Sequence, residues 1–94
     1  MTNNFYGDTM YFLAEHRHTG ATCFSKDESK TVLFDNLITE ANEHGVKIHQ
    51  FLKCAPEHRF FFVLEADDYQ AIHNLFQPVF TLGDIEVVPA ISAL

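Results

Sequence analysis

The segment Arg59-Phe60-Phe61-Phe62-Val63-Leu64-Glu65 is apolar at five successive positions, so both alternating side-chain series of a strand placed there are oily. Such a strand is stable only when covered above and below, which makes it a central strand of a layered sheet. The remainder of the chain has to supply those layers.

MYFLAEHRH, residues 10–18, is a short aromatic-rich run that turns polar at its end and reads as a first strand. Ser25-Lys26-Asp27-Glu28 then offers a capping box, with the serine accepting an amide and the glutamate reaching back. The spacing predicts a helix over 26–44 with Leu33, Phe34, Leu37, Ile38 and Ala41 on its inner face and Gly45 as its stop. VKIHQFLKC, residues 46–54, alternates Val46, Ile48 and Leu52 against Lys47, His49 and Lys53, the period of a strand with one wet face. A turn at 55–58 leads into the central strand. Asp67-Asp68-Tyr69-Gln70 opens a second helix by the same capping logic, with Ala71, Ile72, Leu75 and Phe76 inward and Pro78 blocking its continuation. Asp84 to Val88 reads as a last strand closed by Pro89. Residues 1–9 are polar and aperiodic and are expected to form a flexible arm, leaving 10–94 as one domain.

The order βαββαβ is the split βαβ arrangement: a four-stranded antiparallel sheet with strands one and three central and both helices on one face. A chain of 94 residues has enough surface for a single core of this kind. Parity puts Phe12, Ala14, His16 and His18 in one series with His58, Phe60, Phe62 and Leu64. Tyr11, Leu13, Glu15 and Arg17 fall in the other, with Arg59, Phe61, Val63 and Glu65. With the first series under the helices, Leu13, Phe61 and Val63 would stand in water, at about 25 cal/mol per Å² of apolar area. A second copy laid sheet to sheet removes that cost. The 47% hydrophobic content and ten phenylalanines point the same way, so a homodimer is expected.

A net charge of −7, from 13 acidic and 6 basic residues, argues against nucleic acid and anionic membrane surfaces as partners. No run of about 18 apolar residues is present, and the start MTNNFYGDTM has no basic-then-apolar pattern, so neither a membrane span nor a secretory signal is expected. A cytoplasmic setting follows, with Cys23 and Cys54 as free thiols.

The topology gathers chemistry at one end of the sheet. His16, His18, Cys54 and His58 belong to strand ends that meet there, and the loop bearing Cys23 leaves from the same place. Imidazole and thiolate are the donors of a borderline-soft divalent ion, so His16, His18, Cys23 and His58 form a candidate site for Ni, Zn or Cu. The plainer reading is that these histidines hydrogen-bond along the sheet end and that Cys23 is a small hydrophobe. A second candidate lies on the uncovered face, where Tyr11, Glu15, Arg17, His49, Arg59 and Glu65 sit with Phe51 and Phe61 in the mixture expected of a pocket for a small organic ligand. A histidine or glutamate there can act as a general base. Its plainer reading is a set of weak cross-strand or dimer ion pairs, Glu15 with Arg59 or Arg17 with Glu65. Cys23 before a helix also has the placement of an activated thiol, while His44 and His73 read as structural.

The element order, together with "HGVKI" and "FFVLEADDYQAI", resembles the dimeric α/β barrels of the ferredoxin-like superfamily, over residues 10–90. That resemblance implies a dimer and a relationship to small monooxygenases and muconolactone-isomerase-like enzymes. The layout "EHGVKI … VLEADDYQAI" is also similar to an uncharacterised group of such barrels with a nickel-binding member. Two functions are therefore expected of the chain. It is either a small-ligand or transition-metal binding domain, or a cofactor-independent monooxygenase- or isomerase-like enzyme working in the barrel interior.

Overall fold

The computed structural model describes residues 9–94, so the arm expected at 1–9 lies outside the described residues apart from Thr9. The elements are β1 (Met10–Arg17), α1 (Glu28–Glu40), β2 (Val46–Cys54), β3 (Arg59–Ala66), α2 (Tyr69–Phe76) and β4 (Asp84–Ala90), joined by short 3-10 turns. The strands form one antiparallel sheet in the order β2-β3-β1-β4, with β1 and β3 central. This is the ferredoxin-like α+β fold. Residue parity works as the sequence requires. Phe12, Ala14, Phe62 and Leu64 are buried under the helices with Phe34, Leu37, Ile72, Leu75 and Phe76, whereas Leu13 on the opposite face is 46% exposed.

Five local expectations need correction. Helix α1 is capped by Asp27 rather than Ser25: its carboxylate accepts from the Ser29 amide at 3.0 Å and from the Ser29 hydroxyl at 2.6 Å, satisfying an orphan donor beside the positive helix end. The α-helix also ends at Glu40, and a 3-10 turn, Ala41–His44, carries the chain to Gly45 at φ 74°. Ile38, expected inward, lies at the margin of the buried stripe and is 54% exposed. Asp68, not Asp67, caps α2 by accepting from the Ala71 amide at 3.0 Å. Finally, β4 runs through Pro89 to Ala90, because β4 is an edge strand and a missing donor is tolerated there.

The correction that matters most for chemistry is in β2. Its pairing with β3 slips between Ile48 and Gln50, a bulge that reverses the parity of everything after it. Phe51 therefore points toward the helices and stacks on Phe62 at 4.4 Å, while Leu52, expected in the core, is 53% exposed on the open face. Lys53 is carried to the helix side, its ammonium 5.5 Å from the Phe51 ring and 5.6 Å from that of Phe60.

Candidate functional site at the histidine end of the sheet

Beyond Arg17, the chain stays paired for one residue, with the His18 amide donating to His58 O at 3.1 Å. His58 itself is not a strand residue. It follows the short turn Ala55–Glu57 in the left-handed conformation, φ 57° and ψ 45°, the one positive-φ non-glycine among the described residues. That conformation turns its ring against His18, with Nδ1 3.3 Å from His18 Nε2. Thr19 and Thr22 cap each other across the turn Gly20–Thr22, which brings Cys23 over the same spot. One donor atom each from His18, Cys23 and His58 lies within 4.8 Å of the others.

The electrostatics keep these donors ready. Burial pushes His18 below the ordinary imidazole value, and the neighbouring His16 and His58 push the same way, so His18 is neutral at neutral pH. The Ser25 hydroxyl, 3.3 Å from Cys23 Sγ, and the Ser25 amide hold the thiol below its usual value. The imidazole pair is also short of partners. Whichever ring donates across the 3.3 Å contact, His18 Nδ1 is buried with no hydrogen-bond partner. An unsatisfied buried polar atom costs about 1–3 kcal/mol. A divalent ion accepting lone pairs from both rings and the thiolate would replace that contact, and the donor set, two imidazoles and a sulphur, matches zinc, nickel or copper.

His16 is the predicted site residue that the structure keeps apart. Its ring is fully buried between Phe24, Phe34 and Phe60, and Nε2 donates to Leu82 O at 2.9 Å. The tether fixes the turn before β4, and Gly83 is shaped around it: a Cβ there would lie 2.6 Å from His16 Nε2 and 2.4 Å from Arg17 O. Cys54 lies at the same end as a second free thiol, across from Arg59 and outside the three-donor group.

A cavity of about 250 Å³ opens on the three donors, lined also by Phe24, Ser25, Thr31, Lys53, Ala55 and Phe60. Lys53, Ser25 and Thr31 are the lining residues that sequence reasoning missed. A signal existed for Lys53. Phe51 breaks the wet series Lys47, His49, Lys53, and a large aromatic at a wet position is what a bulge would explain.

The second candidate, on the open face, divides into two closed groups. Glu15 accepts from Arg59 Nε at 2.6 Å and pairs with Arg17 at 3.2 Å, and Arg17 reaches Glu86 at 3.5 Å. Arg59 lies over the Phe61 ring at 5.0 Å. At the other end His49 Nε2 meets Glu65 Oε1 at 2.8 Å, Thr9 donates to the second Glu65 oxygen, and the Tyr11 ring is 5.8 Å from that of His49. The hydrogen bond from Arg59 holds the Glu15 carboxyl below the usual range, and those from Thr9 and His49 do so for Glu65. The pair of Arg17 with Glu65 does not form across the strands of one chain, because the register sets Arg17 opposite Arg59 while Glu65 lies opposite Tyr11 at the far end. Phe51, on the helix side, is absent from this face.

Residues 10–93 match the family model described as Domain of unknown function (DUF3303). The chain belongs to this family. Among solved structures it is similar to SnoaB, a cofactor-independent oxygenase from Streptomyces nogalater, with 12% identity over 94% of this chain and 96% of that one and a TM-score of 0.63. An antibiotic biosynthesis monooxygenase matches at 12% identity over 90% and 99% of the two chains, TM-score 0.58. A structural-genomics protein, YJCS, matches at 11% identity over 89% and 97%, TM-score 0.56. No curated protein matches in sequence. At such identities the likeness establishes the shared fold. In this DUF3303 chain no helix among the described residues is long and apolar enough to cross a membrane.

Proposed function

We propose that this DUF3303 domain binds a divalent transition ion, zinc, nickel or copper, through His18, Cys23 and His58. The observation that carries the reading is the convergence of two imidazoles and a thiol, one donor atom from each within 4.8 Å of the others. Untagged protein, purified without chelators and scanned for all elements, is expected to carry one such ion per chain. The ion should be lost in His18→Ala and in Cys23→Ser. Protein that stays metal-free after incubation with each ion would overturn the proposal.

The domain is further proposed to work as a homodimer through its open sheet face. Leu13, Leu52 and Val88 there are 46%, 53% and 43% exposed, and Phe61 and Val63 lie between them in the register. Sedimentation at micromolar concentration should give a dimer, and Leu13→Asp should give a monomer. A well-folded wild-type monomer rejects this part.

A second reading is favoured by the fold shared with SnoaB and the antibiotic biosynthesis monooxygenase. In it the chain is a cofactor-independent oxygenase or isomerase acting against the face that carries Tyr11, His49 and Glu65. Turnover of a small aromatic substrate by metal-free protein, lost in His49→Ala, would support this reading over the first.

A further inference from the structure

The three donors leave a tetrahedral ion one protein ligand short, and zinc sites with three protein ligands keep the fourth position for water or substrate. Held by two imidazoles and one thiolate, a divalent ion at this site carries one net positive charge. The cavity that opens on the donors adds a second charge through Lys53, and among the described residues lining it there is no carboxylate. That is notable in a chain with 13 acidic residues against 6 basic ones. A neutral fourth ligand would leave both positive charges unbalanced at this site, whereas an anion lying between them is attracted by both and cancels one.

The walls narrow the choice of anion. Phe24 and Phe60 form an apolar side, and about 250 Å³ is below the about 300–1,000 Å³ of pockets for drug-sized ligands, which suits a small molecule. Lys53 holds its ammonium 5.5 Å from the Phe51 ring and 5.6 Å from that of Phe60, and that ammonium has no carboxylate partner in an ion pair among the described residues.

The geometry points to a small organic carboxylate as the fourth ligand. One carboxylate oxygen would sit on the ion, the other would pair with Lys53, and a short hydrocarbon tail would lie against Phe24 and Phe60. This inference rests on the metal reading of His18, Cys23 and His58 and extends it to what the bound ion is for.

Cobalt(II) is a spectroscopically visible substitute for zinc, so the two claims separate in one experiment. Full-length protein loaded with cobalt should show the intense visible bands of a tetrahedral site with a thiolate ligand. Titration with acetate should then shift those bands saturably, and propionate should bind about 4-fold more tightly for its extra methylene. Lys53→Met, which removes the charge and keeps an unbranched side chain, should load cobalt as the wild type does but bind acetate at least about 10-fold more weakly. Failure to load cobalt, zinc, nickel and copper alike overturns the metal reading, and the fourth ligand falls with it. Normal loading with bands indifferent to acetate and propionate overturns the carboxylate inference and leaves the metal reading standing. Equal acetate binding by Lys53→Met overturns the inference as drawn, and so does a stronger response to inorganic phosphate than to either carboxylate.

Discussion

The two polar regions of this domain are made of similar residue types and differ in how completely they satisfy themselves. On the open face every charged group at the centre has a partner within the sheet: Glu15 holds Arg59 and Arg17, and Glu65 holds His49 and Thr9. At the histidine end His18 faces His58 with a buried nitrogen left over, and Cys23 meets only the Ser25 hydroxyl and amide. Closed networks fix strand register and resist a newcomer, because a ligand must first break what is already made. An under-satisfied cluster has free-energy to gain from a ligand. The metal proposal therefore belongs to the end of the sheet and not to its face.

The sharpest way to break this contrast is to remove one donor from each region. His18→Ala is expected to weaken zinc binding by about 100-fold or more, since loss of a direct ligand exceeds the 10- to 100-fold seen for outer-shell partners. His49→Ala should leave zinc affinity unchanged. Competition titration against a chromophoric chelator reads both. Equal losses from the two variants would mean the regions are not separate sites.

A smaller effect follows from burial. The folded-state values of His16 and His18 are both lowered, chiefly by desolvation, so the unfolded chain binds protons that the folded one refuses. Stability is therefore lost as pH falls below the unfolded imidazole value near 6.5, by at most about 1.4 kcal/mol per pH unit for each group. Glu15 and Glu65, lowered by their hydrogen bonds, contribute in the same direction but in a lower window: their stabilisation is present above about 4.5 and fades only below it. Urea unfolding of metal-free protein between pH 7 and 5 should thus show this loss, with a shallower slope in His16→Leu. An unchanged slope would show that His16 titrates normally and is not desolvated.

Much of this was readable from residue order. The both-faces apolar run of β3, the series Phe12, Ala14, His16, and the glycine stop at Gly45 determine the layers and the end at which His18, Cys23 and His58 meet. What was not readable depends on single-residue slips. The bulge after Ile48 costs nothing in composition, yet it exchanges Leu52 for Phe51 beneath the helices and delivers Lys53 to the cavity. Likewise His16 and His18 share parity and type. Only the approach of Leu82 O, 66 residues away, commits one ring to the core and leaves the other available. Long-range carbonyl positions are not written in local pattern.

His58 gives a finer test. Its left-handed backbone is a conformation that glycine adopts freely, so His58→Gly removes about 1 kcal/mol of strain while adding a similar entropy to the unfolded chain. Stability should stay within about 1 kcal/mol of the wild type while zinc affinity falls as it does for His18→Ala. A large loss of stability instead would make the ring a structural support.

The smallest expected effect is on the open face, and it probes the idea of a closed network directly. Glu15 is held by two arginines and stands opposite Glu86 in the register with β4. Arg59→Ala removes one arginine but leaves Arg17 at 3.2 Å, so the carboxylate keeps a partner and the melting temperature should drop by no more than a few degrees. Removing Arg17 as well strands Glu15, whose side chain is only 17% exposed, beside a like charge. The double variant should therefore lose more than the sum of the two single losses. Simple additivity would mean that the arginines act independently and that the face is a collection of surface pairs. It would then have no more claim to internal satisfaction than the histidine end, and the contrast between the two regions would lose its physical basis.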